Sequence, residues 1–63
     1  MIYKVRGRRN ELGISQKSLA KDLGITPQYL CKIEKGQVEP RRDLMQKIAE
    51  KLETTPQKLF FED

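Results

Sequence analysis

The stretch DLGITPQYLCKIEKG, from Asp22 to Gly36, contains a break that limits what this chain can fold into. An apolar pattern ends at Leu23, Gly-Ile-Thr-Pro interrupts it, and a second pattern starts at once and stops at Gly36. Gly24 sits where a helix end commonly needs a left-handed residue. Thr26 suits an N-cap, and Pro27 suits the first turn, where a missing N–H costs nothing. So short a break leaves two helices at a steep angle, with the second held out in front of the first.

The rest of the chain follows the same grammar. Val5, Arg9 and Leu12 recur at helical spacing, which predicts a first helix over Tyr3 to Leu12 ended by Gly13. Ser15 caps a second helix, Gln16 to Leu23, with Leu19, Ala20 and Leu23 on one side. The third runs from the Thr26-Pro27 signal to Gly36. After the loop QVEPRR, a fourth helix spans about Arg42 to Leu52, with Leu44, Met45, Ile48, Ala49 and Leu52 on one face. Thr55 and Pro56 repeat the start signal for a short fifth helix carrying Leu59 and Phe60. No strand is predicted. Residues 1–63 read as one all-α domain with no long linker.

Composition narrows the function classes. Hydrophobic residues make up 37% and charged residues 35% of 63 residues, with 6% aromatics. That is a charge-rich helical mini-domain with a small aliphatic core. Cys31 is the only cysteine and there is no histidine. An intramolecular disulfide is impossible, and a zinc site lacks its preferred ligands. There is no imidazole for acid–base work, no Cys–His or Ser–His pair and no phosphate-cradling glycine loop. The expectation is a non-enzyme with no cofactor, no metal and no evident small-molecule ligand. No stretch resembles a signal peptide or a membrane span, so the expected location is the cytoplasm, without a membrane partner.

The formal net charge of +4 is uneven: residues 1–35 carry +5 and residues 36–63 carry −1. The basic half holds the interrupted helix, which is the footprint of a nucleic-acid binder. A wheel for the third helix sharpens this. With Gln28 at zero, Tyr29, Leu30 and Ile33 cluster about 150° round, and Gln28, Cys31, Lys32 and Lys35 take the other side. Gln pairs bidentately with adenine, and Lys reaches guanine acceptors. Any surface helix also shows solvated Gln and Lys; what favours base reading is the glycine-broken turn, because the second helix of such a pair enters the major groove.

The run ISQKSLAKDLGITPQYLCKIEKGQVEP, followed by KIAEKL and TPQKLF, resembles the Cro/C1-type (XRE-type) helix-turn-helix family of phage repressors and bacterial regulators. The likeness covers nearly the whole chain. It rests on Ser15-Gln16, Leu19-Ala20, Gly24, Leu30, Lys32-Ile33-Glu34, Gly36, Pro40, Ile48-Ala49 and Leu59-Phe60 in their correct spacing. It implies a compact five-helix, lambda-repressor-like domain whose second and third helices form the helix-turn-helix.

The resemblance also implies roles, position by position. Gln16 matches a phosphate-contacting residue, helped by its N–H at a helix N-terminus. Thr26 matches a cap that also touches the DNA backbone, and Lys35 a residue that holds a phosphate. Gln28 and Lys32 match base-reading positions, with Pro27 close to the groove floor; Thr26 and Pro27 serve equally well as a plain helix start. Arg9 and Glu34 match a structural ion pair that sets the angle of the third helix, and the wheel puts Glu34 beside Leu30, where burial demands a partner.

Departures from the family pattern are Arg41 and Arg42 after Pro40, Glu53 in place of Gly or Asn, and Cys31 at a serine-like position. Arg41 and Arg42 either contact phosphates or solvate the fourth helix. Glu53 puts the turn before the fifth helix in question, and a redox role for Cys31 would need a depressed thiol pKa.

The expected function is a sequence-specific regulator, a repressor, binding double-stranded DNA on the nucleoid. One such unit covers few base pairs, so a homodimer on a palindromic operator is expected, with Phe61 at the dimer surface. The rival readings are a protein-interaction module of the same fold and an antitoxin or restriction-modification controller.

Overall fold

The four α-helices among the described residues end in the same turn, and only one of those turns lacks a glycine. The computed structural model describes residues 4–61. It contains α1 (Val5–Glu11), α2 (Gln16–Leu23), α3 (Pro27–Glu34), α4 (Arg42–Lys51) and a closing π-helical turn, Gln57–Phe61. There is no strand among the described residues. The predicted start of the first helix at Tyr3 lies outside them.

After α2, the N–H of Ile25 donates to Ala20 O at 3.0 Å and that of Gly24 to Lys21 O at 3.2 Å, with Gly24 at φ 74°. This paired bonding answers two otherwise orphaned carbonyls and requires a left-handed residue, which glycine adopts without a Cβ penalty. Gly13 and Gly36 do the same after α1 and α3. After α4 the bonds are Thr54 N–H to Ala49 O at 2.9 Å and Glu53 N–H to Glu50 O at 3.2 Å. Here the left-handed residue is Glu53, at φ 57°. The turn keeps the shape a glycine would give it and carries the strain of a side chain. Left-handed backbone costs an ordinary residue about 1–2 kcal/mol, and glycine's extra chain entropy returns part of that. Glu53→Gly is therefore expected to raise stability by about 0.5–1 kcal/mol in urea denaturation. A variant no more stable than the parent would mean that the turn is unstrained.

Helix starts are equally local. Ser15 Oγ accepts from Ser18 N–H at 3.0 Å, Thr26 Oγ1 from Tyr29 N–H at 3.1 Å and Thr55 Oγ1 from Lys58 N–H at 3.3 Å. Arg41 precedes α4 without a side-chain cap, and Asp43 in the first turn complements the helix dipole instead.

One core unites these elements. It comprises Val5, Leu19, Ala20, Leu23, Leu30, Ile33, Met45, Ile48, Ala49, Leu52, Leu59 and Phe60. Leu12, Ile14, Ile25, Val38 and Leu44 pack around it, half-buried. Tyr29 corrects the wheel reading: it is 37% exposed, not part of the apolar face. The residues of α3 that go inside are Leu30, Ile33 and Glu34, and Tyr29 stands about 90° from the centre of that arc.

Helix α1 acts as the strut. Its Arg8 donates from Nε to Leu52 O at 2.9 Å and from Nη2 to Glu53 O at 3.3 Å, fastening the end of α4. The N–H of Lys4 donates to Leu59 O at 3.0 Å, fastening the π turn. The next residue, Arg9, turns the other way, toward α3.

Candidate nucleic-acid interface

The outward face of α3 is built by what its inward face buries. Leu30 and Ile33 are fully buried, which fixes the helix rotation and turns Gln28, Lys32 and Lys35 outward. All three are exposed, as are Thr26 and Pro27 at the helix start. Cys31 lies among them, half-buried.

Glu34 is the one acid of α3, and it points inward at 4% exposure. Arg9, 8% exposed, meets it with a two-pronged contact: Nε to Oε2 at 2.9 Å and Nη2 to Oε1 at 3.3 Å. Arg9 Nη1 donates to Ile14 O at 2.9 Å. Gln16 Nε2 adds a bond to Glu34 Oε1 at 3.1 Å. No buried side-chain nitrogen or oxygen among the described residues lacks a partner. A buried charge is tolerable only when paired and hydrogen-bonded in this way. The network ties α1, the start of α2 and the end of α3 together at one point. Because the helix's only carboxylate is neutralised behind it, the outer face of α3 carries Lys32 and Lys35 with no offsetting acid of its own.

Two clefts flank this face. One is lined by Arg6, Arg9, Gln16, Cys31, Glu34 and Lys35. The other is lined by Gln16, Pro27, Gln28, Cys31, Lys32, Lys35 and Gln37. The structure thus brings together Gln16, Pro27, Gln28, Lys32 and Lys35. Thr26 lines neither cleft, and its hydroxyl oxygen caps α3. Arg41 and Arg42 are exposed at the start of α4 and line neither. Phe61 is 64% exposed at the far end of the π turn, also away from both clefts.

Gln16 sits where the clefts meet, but its side chain has work of its own. One of its two amide N–H groups is engaged by Glu34, and its backbone N–H, the first of α2, has no acceptor within the helix. Three lining residues carry no role that the sequence alone suggests. Arg6 stands three residues before Arg9, a spacing that places both on one side of α1. Gln37 lies beyond Gly36, where helical periodicity no longer locates a side chain. Cys31 falls on the outward face of the wheel without a task.

No group of three or more His, Cys, Asp or Glu side chains among the described residues is arranged to hold a metal ion. No helix among them is long and apolar enough to cross a membrane.

A capped helix, a left-handed glycine and a second helix presenting a basic outer face define a helix-turn-helix unit. Residues 5–59 match the helix-turn-helix family, and the chain belongs to it, in the Cro/C1-type branch of transcriptional regulators. Proteins described as uncharacterized HTH-type transcriptional regulators share the sequence pattern. Those of Sinorhizobium medicae (strain WSM419) and Rhizobium meliloti (strain 1021) are each 42% identical over 60 residues, covering 95% of this chain and 42% of the relative. One from Methanothermobacter thermautotrophicus is 40% identical over 48 residues, covering 76% of this chain and 70% of the relative. The chain thus spans about two-fifths of the length of its two rhizobial relatives.

Proposed function

We propose that this chain is a repressor that reads double-stranded DNA with α3 in the major groove, as a homodimer on a palindromic operator on the nucleoid. The observation that carries the reading is the outer face of α3. Gln28 and Lys32 stand exposed there with no partner among the described residues, while the helix's one acid is buried and neutralised. Pro27 lies beside them at the groove floor. Lys35, the Gln16 N–H and Thr26 supply backbone contacts on either side, and Arg41 and Arg42 extend these beside α4.

Size supports the dimer. The Cα atoms extend 26 Å along the longest axis, less than the ~34 Å between half-sites one turn apart. Two copies are needed to reach both. Phe61 is the aromatic we assign to the dimer surface, because it is 64% exposed while Leu59 and Phe60 face the core. Phe61→Ala is expected to weaken self-association in sedimentation while helical content is unchanged. If it unfolds the protein instead, Phe61 belongs to the core.

The test of the reading face uses sites selected from a random DNA pool and their single-base variants. Gln28→Ala should cost about 1–3 kcal/mol per half-site and relax preference at one position in each. Lys35→Ala should weaken all sequences alike and lower the salt slope by about one for each phosphate it no longer neutralises. The reverse pattern, with Lys35 setting base preference, would mean that α3 docks in another orientation.

A further inference from the structure

We infer that Arg6 is a further DNA-contacting residue, holding a backbone phosphate together with Lys35 across the cleft between α1 and α3. This rests on the DNA-binding reading above and assigns a contact that the reading leaves open. The family resemblance gives the phosphate at this point to Gln16, yet the Gln16 amide nitrogen is bonded to Glu34 at 3.1 Å. That bond leaves the neutral Gln16 amide a single N–H for an anion, whereas Arg6, on the cleft wall, offers a charged fork of donors. It is exposed and makes no hydrogen bond or ion pair among the described residues. Lys35 lines the same cleft and is likewise exposed and unpaired.

The electrostatics agree. Of the cleft's lining residues only Glu34 is acidic, and Arg9 already neutralises it. Arg6 and Lys35 remain as uncompensated charge, so the cleft selects an anion. A guanidinium suits phosphate in particular, because its fork of N–H groups matches two phosphate oxygens at once. The position is firm as well as charged. Arg8 and Arg9, on the same helix, are fastened to α4 and α3 respectively, so α1 presents Arg6 at a set distance from the groove-facing helix. Exposure alone does not single it out: Lys17, Lys21 and Lys47 are exposed too, but line neither of the two clefts.

The experiment measures binding of a selected duplex and an unrelated duplex between about 50 and 200 mM salt. It compares the parent chain, Arg6→Ala, Arg6→Gln, Arg6→Lys and, as a control, Lys47→Ala. Arg6→Ala and Arg6→Gln should weaken both duplexes by the same factor. Each should lower the slope of log affinity against log salt by about 0.9 per half-site, so that the fall over this range shrinks about three- to fourfold for each phosphate left unneutralised. Arg6→Lys should keep the parent's slope, and Lys47→Ala should match the parent throughout. Placing a neutral methylphosphonate at the contacted position should erase the difference between parent and Arg6→Ala. A parent-like slope in Arg6→Ala and Arg6→Gln would overturn the inference, as would a loss confined to one base preference. Loss of helical content in both would do so too, by making Arg6 a structural residue. A parent affinity that is flat in salt is a separate result and would overturn the DNA-binding reading itself.

Discussion

Arg9→Ala is expected to destabilise this fold by roughly 3–5 kcal/mol, the usual cost of removing one partner from a buried ion pair. The size follows from what the arginine leaves behind. Glu34, 4% exposed, would be left with only the Gln16 amide to meet it, and Ile14 O would lose its donor. At about 0.05–0.15 kcal/mol per residue, a chain of this length is stable by only some 3–9 kcal/mol, so the substitution should remove roughly a third or more of that margin. Glu34→Ala should be comparable, since it strands a buried guanidinium. The double variant should cost clearly less than the two single effects added, because it leaves no orphaned charge. Urea denaturation of the four proteins measures this cycle. Additive effects would mean that the two side chains contribute independently, contrary to the 2.9 Å contact between them. The pair also matters beyond stability. It joins α1 to α3 at the point where Gln16 joins α2, so loosening it should free the angle at which α3 is presented.

DNA affinity should fall by about 10³–10⁵ between 50 and 200 mM salt if a dimer neutralises six to ten phosphates. The sign and size come from counterion release: each lysine or arginine seated on a phosphate frees a condensed cation, and added salt opposes that release. Per protomer the proposed contacts are Lys35, Arg6 and the arginines Arg41 and Arg42, which brings two protomers into that range. Titrating a labelled selected duplex across the salt range gives the slope directly. An affinity that does not change with salt would remove DNA as the main partner and favour a protein-interaction module built on the same fold.

Much of the fold was legible because its signals are short-range. The sequence reading of α2 as Gln16 to Leu23 agrees with the structure residue for residue. Its start is a hydroxyl three residues from the N–H it caps, and its end is a glycine bonded back across three residues. Thr26 and Pro27 mark the start of α3 for the same reason. The fifth helix was legible only as a start signal and an apolar pair. Its winding as a π turn, which puts the adjacent Leu59 and Phe60 into the core, depends on what they pack against. Glu53 is an intermediate case. The sequence shows a residue unsuited to the turn, whereas the turn keeps its left-handed form while Arg8 binds its carbonyl from 45 residues away.

The chain by itself determined where its helices break and which residue types α3 carries, since caps, left-handed glycines and a helical wheel act within a few residues. Tertiary packing alone decided how wide the buried arc of α3 is, and so left Tyr29 outside. It also decided that Gln16 meets Glu34, a residue 18 positions away, and that Arg6 and Lys35 line one cleft. Those juxtapositions arise only when α1, α2 and α3 close on a common core. The energy that closes them, chiefly burial of apolar surface, is non-directional: helical periodicity marks which face of each helix is apolar, not which faces meet.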